Sequence, residues 1–369
     1  MEFKIIIKSQ EFVDKYLKQE LMNITKLKVK KIDSCFYEIN VNSILKLNEI
    51  VYNLYYYSRL IENIYLFINK SKNLEKLNCV KKDLNFINNK LNFKINFDNY
   101  LIKNNNLKYI NYLKDKLVLN IQNINLNLSE NLDNFDFNFL VMKLKKEYYF
   151  VLDLIGFNLT SRDYKLNKIN TELNPLIINF LFNLMQINNK NLNYSIIDPI
   201  ANYGDLIIEC SIFNLNIPIH IKKRHILPIK KIFNFIPKIP KFIKSKNKYI
   251  AIVQDNITFK KINENIIYSK QKIKLSQYEI DWLDIKFEES QIDYVISNFK
   301  MFDNQDLFEK FQQIFFYQCE FICKKKIGII TKNKINLEIL KKNNLKINKF
   351  ETIFLENNKY FIYVINSNK

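Results

Sequence analysis

Glycine and proline are scarce in this chain, which has three glycines and six prolines among 369 residues. These two residues make most tight turns, so other residues, chiefly asparagine, must supply the left-handed backbone positions. The enriched residues (Asn, Lys, Ile, Tyr and Phe) have A/T-rich codons. This composition indicates the A/T mutational bias of a reduced, endosymbiont-like or organelle-like genome, so a glycine missing from a motif is weak evidence for a lost function.

Histidine and cysteine are also few, with two His and five Cys in the chain. The cysteines are scattered, so we expect no zinc site and no disulfide framework, a pattern typical of a reducing cytosol. The apolar run after Met1 is too short for a signal peptide, and no apolar stretch is long enough to cross a membrane. The sequence therefore predicts a cytoplasmic protein that binds neither metal nor membrane.

Positive charge is in excess, because 57 Lys and Arg against 37 Asp and Glu leave a net charge of +20. A protein this basic usually binds a polyanion, since lysine and arginine displace counterions from phosphates. The alternative is that the lysines also reflect codon bias. With 48% hydrophobic and 25% charged residues the chain is globular, and its length allows two domains with room for a small third one. Nucleic acid is the expected partner.

The first part of the chain predicts a small mixed unit. Strands are expected near residues 3–8, 28–32, 35–41 and 64–68, with helices at 10–22 and 44–58. This strand–helix–strand–strand–helix–strand order is that of a split βαβ unit. The Asn- and Lys-rich stretch 69–135 has interrupted apolar positions and shows few boundaries, and two strand-like runs follow it at 137–144 and 148–154.

From about residue 160 the pattern changes. A helix at 175–187 precedes a buried strand at 195–197, and strand-like apolar runs recur at 249–253, 292–297 and 326–331 with helical stretches between them. Such alternation predicts an α/β fold with a parallel sheet covered by helices on both faces. The last two strand-like runs, 350–355 and 359–366, predict an antiparallel hairpin.

A basic segment, residues 219–248, interrupts this second part. Its lysines and one arginine, which include Lys222, Lys223 and Arg224, are interleaved with aromatic and proline residues. The segment is either a solvated insertion or a surface that faces RNA. Its composition is compatible with both.

The residues with the clearest chemistry lie where a buried strand runs into a loop and a helix. The strand ends at Asp198, and Gly204 comes directly before the helix that contains Glu209. In an α/β sheet this loop lies at the carboxyl end of the strand, where ligands bind. A glycine in such a loop lets the backbone approach a ligand closely.

The stretch 196–209 resembles the D-P-M-C-G-S-G-T-x-x-I-E motif of the THUMP-type RNA methyltransferases, which use S-adenosylmethionine (SAM). The matching residues are Asp198, Pro199, Gly204, Ile208 and Glu209. Asn202 stands at the first motif glycine and Asp205 at the threonine. Segments nearby agree in order and spacing: 159–165 resembles L-x-K-R-G-Y-R, 174–176 resembles A-P-L, and 216–218 matches the N-I-P of Bacteroidetes-type members.

A second strand end, 293–302, resembles the D-x-V-x-x-N-P-P-Y-G motif of amino-group methyltransferases. In that chemistry the Asn side chain and the next backbone carbonyl accept hydrogen bonds from the target NH2, which orients its nitrogen for attack. The resemblance thus implies Asn298 and the carbonyl of Phe299 as catalytic groups. Met301 replaces the stacking tyrosine, so Phe299 or Phe302 is left to stack on the extruded base. Without the resemblance, Asn298 would be interpreted as a strand-end cap.

The resemblance implies cofactor binding by Asp198, Gly204 and Asp281, the last near the cofactor adenine. Trp282, the only tryptophan, either flanks the adenine or packs in the core. The acidic residue that would bind the ribose hydroxyls is Val253 in this chain. Asp255 lies two residues on and replaces it only if the loop shifts, so this departure weakens cofactor binding.

Nearly the whole chain is covered by the resemblance. It implies a Rossmann-like methyltransferase domain (159–369), with a mostly parallel sheet ending in an antiparallel hairpin, preceded by an α+β module made of a ferredoxin-like subdomain (1–68) and a THUMP RNA-binding region (69–158). The implied RNA-binding residues are Arg162, Lys165, Lys222, Lys223 and Arg224. The implied reaction is methyl transfer from SAM to guanine N2 of 23S ribosomal RNA, the large-subunit RNA of bacteria.

Two alternatives remain open. Asn202 with Asp205, Val253 and the sequence 299–301 depart from the family motifs, and they favour a non-catalytic RNA-binding or ribosome-assembly protein on the same fold. The other alternative is a methyltransferase that acts on adenine N6 or on a protein glutamine, although a THUMP module argues against it.

Overall fold

The computed structural model describes residues 2–166, 173–187, 193–202, 204–215, 217–220, 223, 227–235, 246–299 and 304–367. The chain divides into two compact units, Met1–Ser161 with Pro218–Pro240 and Arg162–Ile217 with Lys241–Lys369. Each unit combines a sheet with helices, which confirms the predicted α/β class.

The helices of the described residues occur throughout the chain. They are α1 (Asp14–Thr25), α2 (Ile44–Tyr57), α3 (Lys81–Leu84), α4 (Asn99–Asn104), α5 (Leu107–Ile124), α6 (Pro175–Met185), α7 (Asp205–Leu215), α8 (Pro228–Phe233), α9 (Asn256–Ser269), α10 (Leu283–Lys286), α11 (Gln305–Ile322) and α12 (Leu337–Lys342). Short 3-10 turns lie at Glu11–Val13, Leu74–Lys76 and Ile280–Trp282.

The first unit contains an eight-stranded sheet. Its strands are β1 (Phe3–Lys8), β2 (Val29–Asp33), β3 (Phe36–Val41), β4 (Asn63–Ser71), β5 (Leu91–Phe97), β6 (Leu128–Glu130), β7 (Phe137–Leu144) and β8 (Glu147–Asp153), in the order β2-β3-β1-β4-β8-β7-β5-β6. The first four strands have the order of a ferredoxin-like split βαβ unit, as predicted. The sheet continues past residue 68, because β4 pairs with β8.

Local sequence accounts for these elements. The central strand β1 pairs with both β3 and β4, and its residues Ile5, Ile6 and Ile7 are all buried, so its apolar run is continuous instead of alternating. Helix α2 begins after Ser43, whose side chain accepts a hydrogen bond from the Lys46 backbone N–H at 3.2 Å. The stretch 69–135, where the sequence showed few boundaries, contains β5 and the long helix α5.

Residues 227–235 of the basic segment pack within the first unit. The backbone N–H of Ile229 donates to the carbonyl of Leu154 at 3.2 Å, and the rings of Phe233 and Phe86 stack with centroids 5.4 Å apart. Lys231 Nζ lies 2.8 Å from Asp136 Oδ1. The interpretation of a solvated insertion is therefore wrong for residues 227–235, because apolar contacts and an ion pair hold them in place.

The second unit contains a seven-stranded sheet. Its strands are β9 (Ser195–Asp198), β10 (Lys248–Val253), β11 (Ile273–Gln277), β12 (Ile292–Asn298), β13 (Cys323–Thr331), β14 (Leu345–Leu355) and β15 (Asn358–Ser367), in the order β11-β10-β9-β12-β13-β15-β14. Strands β9 to β13 pair in parallel, and β15 is antiparallel to β13 and β14. This confirms the Rossmann-like sheet with its terminal hairpin.

Helix α6 covers the sheet closely at one point. It is buried almost all around, as its apolar sequence predicts. A Cβ added to Gly328 of β13 would lie 2.3 Å from Met185 Sδ and 3.1 Å from Leu181 Cδ1. One of the three glycines is therefore used where helix and strand approach too closely for any side chain.

Few of the left-handed backbone positions are glycines. Asparagine supplies some of them, as expected, at Asn234, Asn344 and Asn357. Helices α1 and α9, however, end on Lys26 and Lys270 at φ of 59° and 58°. A residue other than glycine in the left-handed conformation costs about 1–2 kcal/mol. The scarcity of glycine therefore lowers the stability slightly at each of these helix ends.

Candidate active site

The two motif strands end side by side. β9 ends at Asp198 and β12 at Asn298, and the strands pair in parallel, with Ile196 opposite Tyr294. The carboxyl ends of the two strands therefore share one edge of the sheet. The sheet order also changes direction here, since β9 is followed in the chain by β10 on one side and lies against β12 on the other. Open α/β sheets bind ligands at such a switch point.

Three of the predicted site residues line one cavity at this edge. Asp198, Gly204 and Asn298 are joined there by Leu173, Ile200, Asn202, Asp205 and Leu206. The cavity measures about 20 Å³, which is room for about one water molecule. Asp281 is not among the described residues that line it.

The loop between β9 and α7 is held by hydrogen bonds to both neighbouring strands. Asn202 Nδ2 donates to the backbone carbonyl of Asn298 at 2.9 Å. The backbone N–H of Ala201 donates to the carbonyl of Ile252 at 2.8 Å, and Gln254 Nε2 donates to the carbonyl of Pro199 at 3.2 Å. Asn202 occupies the position of a motif glycine. Its side chain thus links the loop after β9 to the end of β12.

Gly204 has a backbone conformation that requires glycine. Its φ is +76°, and an added Cβ would lie 3.0 Å from Ile262 Cγ2. Any other residue would be strained by its backbone and would also press on α9. The chain therefore retains the motif glycine at the position where the backbone conformation and the packing against α9 both require one.

Asp198 is a buried acid. Its burial raises the pKa of the carboxyl from 3.8 to about 8, although a hydrogen bond from the backbone N–H of Ile200 partly opposes this. The carboxyl is therefore largely protonated at neutral pH, and a cation placed beside it would favour its ionised form.

Helix α7 is anchored by a buried carboxylate, Glu209. Arg162 Nε donates to its Oε1 at 2.8 Å and the Tyr164 hydroxyl donates to the same oxygen at 2.9 Å. Asn179 Nδ2, on α6, donates to Oε2 at 2.9 Å. The Arg162 and Glu209 side chains are both 0% exposed. Burial and the charge of Glu209 raise the pKa of the Tyr164 hydroxyl well above its ordinary value.

Two residues predicted to bind RNA are instead part of this support. Arg162 is fully buried against Glu209, and Lys165 Nζ lies 3.2 Å from Asp205 Oδ2 with its side chain only 7% exposed. Neither cation is accessible to a phosphate, so both assignments are corrected. The Lys165–Asp205 pair also shows how an aspartate is accommodated at the motif threonine, since its charge is neutralised.

The remaining predicted RNA contacts lie in the basic segment. Lys223 is half-buried, with its Nζ 4.6 Å from the centre of the Phe157 ring. Lys222 and Arg224 lie outside the described residues. The role of these three cations stays a prediction.

The ring of Phe299 is not available to stack on a base. It is 3% exposed and packs edge-on against Phe311 and Phe315, with centroids 5.0 and 4.7 Å apart. That part of the prediction is wrong, because the ring completes an aromatic core cluster. Met301 and Phe302 lie outside the described residues.

The expected ribose and adenine positions differ from the family pattern. Val253 is fully buried, and Asp255 caps α9 by accepting a hydrogen bond from the Thr258 backbone N–H at 2.8 Å. Asp281 is exposed, and Trp282 is 47% exposed with Lys286 Nζ 5.6 Å from its ring centre. Core packing of Trp282 is therefore excluded.

Sequence reasoning missed the contacts that Asn179 and Asn202 make. A signal existed for Glu209, because a single acid in the apolar helix sequence L-I-I-E-C-S-I-F predicts a buried charge that needs a partner. Which residues supply that partner depends on the packing of α6 and the segment at 162–165.

Within the described ranges, no group of three or more His, Cys, Asp or Glu could hold a metal, and no helix is long and apolar enough to span a membrane.

Known structures share this architecture over the whole chain. TrmN from Thermus thermophilus matches with 11% identity and a TM-score of 0.69, covering 99% of both chains. A protein from Clostridium difficile 630, described as a possible methylase, matches with 14% identity and a TM-score of 0.71, covering 100% of this chain and 99% of that one. SMU.472, provisionally described as a methyltransferase and complexed with SAH, matches with 13% identity and a TM-score of 0.69, covering 98% and 97%.

At these identities the similarity establishes the fold. No family model and no curated protein sequence matches the chain. The chain thus shares the fold of these structures, a Rossmann-like methyltransferase fold, as the resemblance implied.

Replacing Glu209 with glutamine should destabilise the second unit. The change leaves Arg162 buried without its counter-charge, which costs about 3–5 kcal/mol. Chemical denaturation of the full chain measures this loss. Glu49→Gln, which removes an exposed pair with Lys46, is the matched control and should change the unfolding free energy by less than about 0.5 kcal/mol. Equal effects of the two substitutions would contradict the anchoring role of Glu209.

The buried acid predicts a pH-dependent stability. Between pH 3.8 and about 8 the folded chain keeps the Asp198 proton that the unfolded chain releases, so its contribution to stability falls as the pH rises through this window. Asp198→Asn should remove this dependence. Thermal unfolding of both proteins should be compared between pH 5 and 8. The stability of the variant relative to the wild type should increase as the pH rises, because groups that titrate alike in both proteins cancel in the comparison. A constant difference between them would show that Asp198 is already ionised.

Proposed function

We propose that this protein is a SAM-dependent RNA methyltransferase that methylates guanine N2 in large-subunit ribosomal RNA. One observation carries the proposal: Asp198, Gly204 and Asn298, chosen from two separate motifs, line one cavity at the switch point of the sheet. The similarity to TrmN and to the SAH complex of SMU.472 supports a reaction of this class.

The residues at the cavity suit one end of SAM. The amino-acid part of SAM carries an ammonium group, and the buried Asp198 carboxyl would be ionised and stabilised by such a cation. Gly204 lets the backbone approach the same group. Asp281 would contact the adenine. Val253 has no carboxylate for the ribose hydroxyls of SAM, so other contacts would have to bind the ribose.

SAM, when bound, supplies a methyl group on a sulfonium sulfur, and SAH leaves with the S–C electron pair as the guanine N2 forms the new N–C bond. The chain's contribution is to orient N2. Asn298 is half-buried, and its side-chain amide makes no hydrogen bond to another described residue, so its oxygen can accept from the guanine NH2. The carbonyl of Phe299 is the second acceptor. The proton left on the methylated nitrogen passes to water.

RNA as the substrate is supported by charge and architecture. The net charge of +20 favours a polyanion, and a separate N-terminal unit precedes the unit with the cavity. We propose that residues 1–68 and 69–158 form a ferredoxin-like and THUMP module that recognises structured RNA by shape. Ribosomal RNA in the cytoplasm is the substrate that the sequence resemblance implies.

A second function is favoured by specific features of the site. The cavity of about 20 Å³ is far smaller than a cofactor, Asn202 closes the gap between the motif strands, and Val253 replaces the ribose acid. A non-catalytic RNA-binding or ribosome-assembly protein would have no reason to keep this space open.

Calorimetric titration with SAM separates the two functions. We expect micromolar binding by the purified full chain, and a loss of at least about tenfold in Asp198→Asn, because the ammonium would lose its charged partner. Glu49→Gln, an exposed substitution, should bind as the wild type does. No binding at millimolar SAM would contradict the enzyme and support the non-catalytic protein.

Asn298→Ala tests the proposed orientation of the target amine. Methyl transfer to ribosomal RNA should fall by about 100-fold or more, because the nitrogen is no longer held in line, while RNA affinity stays nearly unchanged. Transfer of radioactive methyl groups and mass spectrometry of the digested nucleosides measure the rate and the product. Unaltered activity would refute the role of Asn298, and N6-methyladenosine as the product would refute guanine.

A further inference from the structure

A large cleft lies at the opposite edge of the second unit's sheet. It is lined by the amino ends of four neighbouring strands, which begin at Ser195, Lys248, Ile273 and Ile292. Asp198 and Asn298 stand at the other ends of two of these strands. The cleft measures about 770 Å³, within the range of ligand-binding sites, and is thus far roomier than the cavity at the carboxyl edge.

The cleft is lined by cations. Lys248, Lys272, Lys274 and Lys286 are all exposed. None of the four forms an ion pair with another described residue, and Lys286 lies beside the Trp282 ring. Lys272 comes directly before β11, an edge strand, and Lys274 lies within it, so the two lysines are two residues apart and project on the same face.

Asp293, the single carboxylate among the described residues of the lining, does not cancel this charge. Asp293 Oδ1 lies 2.8 Å from Lys325 Nζ, and Oδ2 accepts a hydrogen bond from the Ser195 backbone N–H at 2.9 Å. Burial alone would raise the pKa of Asp293, but these contacts outweigh it and lower the pKa. Its charge is therefore already neutralised within the protein, and the four lysines remain in excess.

The floor of the cleft is apolar and aromatic, with amides at its side. Tyr249 and Ile292 are buried there, Phe287 is half-buried, and Asn247 Nδ2 donates to the Tyr249 hydroxyl at 3.2 Å. A cationic rim over a partly aromatic floor suits a ligand that combines phosphates with flat rings. A nucleotide chain has both.

We propose that this cleft binds the phosphodiester backbone of an RNA strand, at the edge of the sheet opposite the candidate active site. The inference rests on the proposed function, because it takes RNA as the substrate. An extended RNA contacting both edges would be bound more firmly than by the active-site edge alone. A free nucleotide carries the same phosphate chemistry and is the other source to be distinguished.

The test is the salt dependence of RNA binding by the double variant Lys272→Gln/Lys274→Gln. Each lost contact with a single-stranded RNA phosphate makes the slope of log K against log salt less steep by about 0.7, so we expect a change of about 1.4 between about 50 and 200 mM salt. Fluorescence anisotropy of a labelled single-stranded RNA with the full chain measures it. Lys341→Gln/Lys342→Gln, on α12, removes the same charge from exposed lysines outside the cleft and should leave the slope nearly unchanged.

Four outcomes would overturn the inference. Equal slope changes in both double variants would mean that RNA binding depends only on the net charge of the protein. An unchanged slope in the cleft variant would mean that Lys272 and Lys274 do not contact RNA phosphates. The wild type could also bind AMP at micromolar strength while the cleft variant does not. If the RNA slope of the cleft variant is then unchanged, the cleft binds a free nucleotide instead of RNA. Failure of the wild type to bind any RNA would defeat the proposed function as well, whereas the other three outcomes leave that function intact.

Discussion

The second unit depends on the buried carboxylate of Glu209. Arg162, Tyr164 and Asn179 all converge on it, so the segment before α6, α6 itself and α7 are joined at one point without access to water. A charge this deeply buried is tolerated only with its partners in place. Because α7 follows directly on the loop from Asp198 to Gly204, the position of that loop at the sheet edge is a consequence of this network.

The departures from the family motifs are local and several have compensations. Asp205 is neutralised by Lys165, and Asn202 uses its side chain to bind the carbonyl of Asn298, where a glycine would leave a gap. Val253 has no such compensation, since Asp255 is occupied in capping α9. Under the proposed function, the scaffold that would hold the methionine part of SAM is well supported, whereas the position proposed for the ribose lacks its acid. Cofactor affinity therefore separates the two candidate functions.

Most of the fold could be predicted from the sequence because apolar periodicity marks each buried strand and helix. The predicted runs at 3–8, 137–144, 195–197 and 292–297 are all strands, within a residue or so at each end. Residues 69–135 resisted prediction, because asparagine makes turns there that glycine and proline would otherwise mark. For the site, Asp198, Gly204 and Asn298 come from two separate motifs and line one cavity, since parallel strands bring their carboxyl ends together. Their roles in cofactor binding and catalysis stay predictions.

By itself the sequence determined the class of fold, the two motif strands and the excess of positive charge, because these follow from local patterns and composition. Tertiary structure alone decided what each charged side chain does. Arg162 and Lys165 are basic residues beside a motif, yet they are buried supports; Lys272 and Lys274 carry no motif, yet they line a cleft. The reason is physical: the free energy of a charge depends on burial and on partners distant in the chain, and neither is encoded in the identity of the residue.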